Sequence, residues 1–128
     1  DLHGDLMVMQ MIRLFDIIWR ANGLELNPKT YSVYPIKDGG WLEFLPSVSL
    51  SAILREHGTL LKYLSTPKSK QNFFNSCAAY CTLTFVLGVG DRHLENLLLT
   101  QDGCLFHVDY TYRFGADPKP FPPPMKLC

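Results

Sequence analysis

The chain has no excess of charge of either sign: its 128 residues carry 12 Lys and Arg against 12 Asp and Glu. That balance excludes a strong overall field for nucleic acid or an anionic surface, so any anion must be held locally. There is no long hydrophobic run. The most apolar stretch, 77–90, is too short and too interrupted for a membrane span of roughly 20 residues. Cysteines stand at positions 77, 81, 104 and 128; Cys77 and Cys81 sit four apart, but a zinc site needs ligand pairs and a disulfide framework suits a secreted chain, and neither is expected here. Such cysteines behave as small buried hydrophobes in a reducing, cytosolic setting. No internal repeat, signal peptide or initiating Met is present, and the last residues are rich in proline. The chain therefore reads as an internal piece of a longer protein. Its 47% hydrophobic and 19% charged residues suit a globular unit able to bury a core.

What the chain does have is Gly88-Val89-Gly90-Asp91-Arg92-His93-Leu94-Glu95-Asn96-Leu97-Leu98-Leu99, followed by Phe106-His107-Val108-Asp109. Two apolar runs flank the turn Gln101-Asp102-Gly103, a pattern that predicts a hairpin over 97–108 with polar groups at its ends. Distant carboxylates are thereby brought together.

Around this segment the periodicity predicts a helix over 6–21, capped by Asp5 and ending at Asn22-Gly23. Leu6, Met9 or Met11, Leu14, Ile17 and Ile18 fall broadly on one side, with Met7, Val8, Ile12, Phe15 and Trp19 on the other flank, so the helix is expected to pack on more than one side. Strands over 31–36 and 41–45, joined by Lys37-Asp38-Gly39-Gly40, form a hairpin that Pro46 ends. Helices follow over 47–56 and 59–64, stopped near Gly58 and before Pro67. A longer helix over 71–87 is expected to face the core with Phe74, Cys77, Ala78, Cys81, Phe85 and Val86, and the Gly88-Val89-Gly90 turn closes it. Residues 117–124, with their repeated prolines, read as an exposed loop. This order suggests an α+β fold with a hinge at 43–47 and a cleft beside it.

Phosphoryl transfer needs a divalent cation held by hard oxygen ligands and a group that orients or deprotonates the attacking hydroxyl. Asn96 and Asp109 are ligand types of that kind. His93 can act as the base or Asp91 as an orienter, and Arg92 adds a fixed positive charge. Singly, Asp91 and Asn96 could serve only as backbone caps, His107 as a satisfied core residue, and the proline-rich stretch as a linker. The two motifs in this order and at this separation favour a site.

GVGDRHLENLLL together with LFHVD resembles the catalytic and metal-binding segments of the phosphatidylinositol 3-kinase superfamily, whose Asp-Arg-His order reverses the His-Arg-Asp of ordinary protein kinases. The resemblance runs over nearly the whole chain. DLHGDLMVMQMIRL looks like the helix after the family's ATP-binding lysine, and SCAAYCTLTFVLGVGDRH like the helix entering the catalytic loop. The stretch 117–127 most resembles the class III, vacuolar-sorting type. The resemblance implies a protein-kinase-like fold, with 1–45 the end of the small lobe and the hinge strand, and 46–128 a partial large lobe with catalytic and activation loops. It implies ATP-dependent phosphorylation of phosphatidylinositol at the 3-hydroxyl of the inositol ring, with Mg²⁺ or Mn²⁺.

By matching position, His93 is the implied base, Asp91 a catalytic-loop acid beside Arg92, and Asn96 and Asp109 the metal ligands. Glu43, Phe44 and Leu45 supply the backbone that meets adenine, Tyr31 and Leu42 line the inner pocket, and Asp5 supports it. Lys119 and Lys126 fall in the implied activation loop, where they would meet the lipid phosphate or remain solvated. The implied partners are membrane phosphatidylinositol and regulatory protein subunits, with no nucleic acid, at a peripheral endosomal or autophagic location.

The chain departs from the family at several places. Tyr110-Thr111 stands where Phe-Gly is usual after the metal-binding Asp, and His3-Gly4 where Arg-Gln is usual. The stretch from Gly58 to Asn75 is shorter. The ATP lysine, phosphate-covering loop and final large-lobe helices lie outside this sequence. A fragment of this extent is expected to be inactive and poorly stable alone, and the alternative reading is a pseudokinase or truncated scaffold of the same superfamily.

Overall fold

A computed structural model describes residues 2–119. Helix α1 spans Leu2–Ala21, four residues earlier than the apolar spacing predicts, so Asp5 lies within its first turn and does not cap it. The Asp5 carboxylate instead accepts the Tyr110 N–H at 3.3 Å. Gly4, Val8, Met9 and Ile12 form the buried stripe. The expected packing on several sides is not found: Leu14, Ile17 and Ile18 are 56%, 63% and 49% exposed. The helix ends as expected, with Gly23 at φ 79° and the Asn22 side-chain amide donating to the Ile18 carbonyl.

Strands β1 (Val33–Ile36) and β2 (Gly39–Leu42) form an antiparallel hairpin closed by Lys37-Asp38 alone. Both glycines expected in the connection belong to β2. Gly40 pairs with Pro35 and lies so near the Tyr34 carbonyl that a Cβ would overlap it. Residues 43–46 are extended without being a strand, although the Glu43 N–H still donates to the Ser32 carbonyl at 2.9 Å.

The predicted helix over 47–56 divides in two. Ser47–Ser49 is strand β3, paired antiparallel with β4 (Leu97–Thr100), which pairs in turn with β5 (Leu105–His107). Helix α2 starts only at Leu50 and runs to His57, because the Ser49 hydroxyl caps it by accepting the Ala52 N–H. A serine-flanked valine suits a short strand wherever a hairpin offers an open edge, and the 97–107 hairpin offers one. The short helix α3 follows at Leu60–Tyr63.

Helix α4 covers Pro67–Val86. Pro67 starts it and does not merely precede it, since proline is tolerated at the first helical position and Thr66 and Ser69 form a reciprocal capping box. Its buried face is Ser76, Ala79, Tyr80, Leu83 and Thr84, while Phe74, Phe85 and Val86 face outward. The rotation from the expected face has a physical cause. Ser76 accepts the Leu105 N–H at 2.8 Å and donates to the Asn72 carbonyl, so a small polar side chain lets the sheet approach closely.

Two clusters fill the interior. In one, Val8, Met9 and Ile12 of α1 meet Tyr31, Val33, Tyr80, Leu83, Leu87, Phe106 and Tyr110; in the other, Ile53 and Leu64 meet Leu99 and Leu105. The first cluster ties the helix and hairpin of the first 45 residues to α4 and β5. The arrangement is α+β, as expected.

Candidate active site

A cavity of about 480 Å³ lies between the exit of the β1–β2 hairpin and the face of the β3–β4–β5 sheet. All six residues assigned to a nucleotide, Asp5, Tyr31, Leu42, Glu43, Phe44 and Leu45, line it. They come from α1, from the approach to β1 and from the segment leaving β2. Its remaining walls are Ser47, Leu98, Phe106, Val108, Asp109 and Thr111. Of these only Asp109 has a role assigned from the sequence, and Thr111 stands out there only as a departure from the family pattern. Leu98 and Phe106 are direct cross-strand partners, so their side chains share one face of the sheet. Phe106 and Val108, two apart, carry the period-2 signal that could have marked this floor.

The hinge segment is held by hydrogen bonds that leave its inner edge open. Glu43 turns its carboxylate to the Ser32 N–H at 2.8 Å, and this bond lowers its carboxyl below the ordinary range. Ser47 donates to the Leu45 carbonyl at 2.8 Å. The Leu45 N–H and Glu43 carbonyl have no hydrogen bond within the described residues. Deeper in, burial raises the Asp5 carboxyl despite the opposing bond from Tyr110, and burial also raises the Tyr31 hydroxyl.

The Asp-Arg-His turn lies alongside, joined to the 108–109 segment by backbone. Asp91 has a φ of 53° and Asp109 one of 59°. Asn96 is buried; its side-chain amide donates to the Asp91 carbonyl at 3.0 Å, its N–H to the His93 carbonyl, and its own carbonyl accepts the Val108 N–H at 3.0 Å. The turn is thus locked onto the segment after β5 that carries Asp109.

Arg92 was expected to offer a fixed charge to the site, and its donors go elsewhere. Nε donates to the Gly90 carbonyl at 2.9 Å, Nη1 to the Val108 carbonyl at 2.8 Å, and Nη2 to the Asp109 carbonyl. The guanidinium also sits 5.5 Å over the Tyr110 ring. Arg92 straps the two loops together. His93 and Asp91 stand half-exposed outside the cavity wall, with Nε2 3.9 Å from Asp91 Oδ2.

Glycines 88 and 90 allow the next segment to cross this turn. A Cβ on Gly88 would lie 2.7 Å from the Gly115 nitrogen and one on Gly90 2.6 Å from the Ala116 carbonyl oxygen. The Gly90 N–H donates to the Tyr112 carbonyl and the Gly115 N–H to the Gly88 carbonyl. Lys119 is exposed in the same segment, and its backbone N–H donates to Asp117 at 2.8 Å. Lys126 lies outside the described residues.

Asp109 Oδ1 accepts both the N–H (3.2 Å) and the hydroxyl (2.6 Å) of Thr111. The hydroxyl is the main reason its carboxyl lies below the ordinary range, so the group is a carboxylate at neutral pH. Thr111 itself is not among the residues with positive φ. The β-branched side chain is therefore accommodated where the resemblance would place glycine.

No group of three or more His, Cys, Asp or Glu side chains among the described residues can by itself hold a metal ion. Asn96 spends its amide N–H on Asp91, leaving its carbonyl oxygen, and Asp109 retains Oδ2. Two hard oxygens fit a cation such as Mg²⁺, which usually takes one or two protein oxygens and completes its shell with water and phosphate.

Comparison with known proteins bears on the same residues. A family profile described as "Phosphatidylinositol 3- and 4-kinase" matches residues 62–128. The chain is 47% identical over its whole length to the phosphatidylinositol 3-kinase VPS34 of Arabidopsis thaliana, where the match covers 17% of that protein. It is 45% identical over its whole length to the phosphatidylinositol 3-kinase root isoform of Glycine max, again across 17% of the relative. Against the phosphatidylinositol 3-kinase VPS34 of Saccharomyces cerevisiae the identity is 40% over 99% of the chain and 16% of the relative. The chain thus spans about a sixth of the length of these curated relatives.

Proposed function

This chain belongs to the phosphatidylinositol 3- and 4-kinase family, and from that premise we propose that it is the hinge and catalytic-loop portion of an ATP-dependent kinase that phosphorylates phosphatidylinositol at the 3-hydroxyl of the inositol ring. The observation that carries the proposal is the cavity that joins the open hinge edge at Glu43–Leu45 to the carboxylate of Asp109. Relatives named phosphatidylinositol 3-kinase support the choice of lipid. We read 1–45 as the end of a small lobe and 46–128 as part of a large one.

Adenine would take the Leu45 N–H and the Glu43 carbonyl, between the apolar surfaces of Leu42, Tyr31 and Phe106. Asp5, half-buried beneath, keeps the Tyr110 amide and hence the start of the following loop in place. Asn96 and Asp109 would hold the divalent cation, which when bound neutralises the phosphate oxygens. His93, exposed beside Asp91, would take the proton as the inositol oxygen bonds to the γ-phosphorus and the bond to the ADP oxygen breaks. Asp91 orients the imidazole. Arg92 holds the catalytic turn against the metal-binding segment from behind.

Phosphatidylinositol is a membrane lipid, and no described helix is long and apolar enough to cross a membrane. Following the class III resemblance, we place the enzyme peripherally at the membrane, on endosomal or autophagic surfaces and with regulatory subunits. Lys119 and Lys126 are the basic residues proposed to meet the single lipid phosphodiester.

The test is a lipid kinase assay of the full-length protein with phosphatidylinositol vesicles and Mg²⁺ or Mn²⁺. Turnover is expected in the native protein and is expected to vanish in Asp109→Ala and in His93→Ala. Turnover that survives either substitution removes that residue from the mechanism. A native protein that binds ATP and leaves the lipid unmodified would support the pseudokinase alternative.

A further inference from the structure

We propose that Thr111 is a positioning residue for the cation-binding carboxylate: its N–H and hydroxyl together occupy Asp109 Oδ1, leaving Oδ2 as the oxygen for a divalent ion. The inference rests on the reading of Asp109 as a metal ligand.

Two donors from one residue converge on a single oxygen, at 3.2 and 2.6 Å. The shorter is the length of an O–H···O⁻ bond to an ionised acceptor. Thr111 is exposed, so no buried polar group obliges the hydroxyl to make this bond. It lines the same cavity as Asp109.

The backbone of Asp109 needs such support. Its φ of 59° lies in the left-handed region, which side-chain-bearing residues rarely adopt. Arg92 secures the carbonyl end of the residue, and Thr111 secures the carboxylate end. A side chain fixed at both ends presents its free oxygen in one direction.

The chemical consequence is a choice of cation. A carboxylate with one oxygen occupied binds an ion through the other oxygen only, which suits the strict octahedral shell of Mg²⁺. Ca²⁺ takes more ligands and accepts two-oxygen carboxylate binding. Removing the hydroxyl leaves Oδ1 with the Thr111 N–H alone, at 3.2 Å, so that oxygen regains room for a cation and the carboxylate is held less firmly. The Mg²⁺ site loses more by this than the Ca²⁺ site.

Isothermal titration of the full-length protein with Mg²⁺ alone and with Ca²⁺ alone tests the idea. Thr111→Val, which keeps shape and removes the donor, is expected to weaken Mg²⁺ binding about tenfold, the lower end of what losing a partner of a metal ligand costs, and Ca²⁺ binding by much less. Thr111→Ser is expected to bind both ions as the native protein does. A purely structural role would shift the melting temperature and leave the Mg²⁺ to Ca²⁺ ratio alone. An unchanged ratio in Thr111→Val, or a serine variant that behaves like the valine one, overturns the proposal. Asp109→Ala separates the two readings. If it retains Mg²⁺ binding, the ligand assignment falls and Thr111 with it; if it loses binding while Thr111→Val keeps the native ratio, only the role of Thr111 falls.

Discussion

His107 is an imidazole packed almost wholly out of water. It stacks on Tyr80 with ring centres 4.7 Å apart and planes 13° from parallel, and its Nδ1 has no hydrogen-bond partner among the described residues. Burial, with Arg92 adding to it, pushes its pKa down to about 3 from the ordinary 6.5. The unfolded chain therefore takes up a proton at a pH where the folded chain does not, and folding loses stability as pH falls from 6.5 toward about 3. Replacing the ring by Phe removes both the titrating group and the unsatisfied nitrogen. Denaturant titrations of the full-length protein across this range should give His107→Phe a shallower acid slope than the native protein; parallel slopes would show that His107 carries no part of the acid loss. Residue types were readable in advance here, and partners were not. Asn96 and Asp109 stand out as oxygen donors by type, whereas two of the three carbonyls that occupy Arg92 lie 16 and 17 positions away, and only a folded chain brings them near.

Elements were legible wherever pattern and punctuation agreed. The 97–107 hairpin and the close of α1 at Asn22-Gly23 fall where turn chemistry puts them. Strand β3 was not legible, because three residues with a single valine have too little pattern, and their partner lies about fifty residues downstream. The face of α4 was misjudged because apolar residues surround the helix, so its phase is decided by what packs on it. Ser76 decides much of that phase, accepting the Leu105 N–H where β5 crosses the helix. Ser76 is 1% exposed, so Ser76→Ala strands a buried N–H and should destabilise the folded protein by about 1–3 kcal/mol. Chemical denaturation measures this directly, and a loss below about 0.5 kcal/mol, the range of ordinary surface changes, would mean that the pairing contributes nothing. The turn after β4 meets the same helix: a Cβ on Gly103, whose φ is 90°, would overlap the Ser69 carbonyl.

At the scale of the whole molecule, the buried clusters account for only one side of the two longest helices. Leu14, Ile17 and Ile18 on α1, and Phe74, Phe85 and Val86 on α4, remain exposed. Apolar faces of this extent do not usually stay open to water. The isolated 128-residue chain should therefore bind a hydrophobic dye strongly, self-associate, and melt without a sharp transition. A monomeric chain with a cooperative melt and ATP-dependent stabilisation would contradict this and show that these 128 residues suffice for a stable domain.

The amino-acid order by itself pointed to the family and, through it, to the proposed chemistry. Asp-Arg-His, Asn and Asp at their separation, and the glycine turn that carries them, are local patterns whose meaning survives without coordinates. It also singled out six residues as candidates for the nucleotide side, through their match to the family's pattern. Only the tertiary structure decided that these six share one cavity with Asp109, that Arg92 serves as a strap, and that Thr111 closes on one oxygen of the carboxylate. Such relations depend on which backbone groups meet across the fold and how each helix is rotated. Both are settled by packing between residues far apart in the chain, where hydrophobic periodicity carries no information.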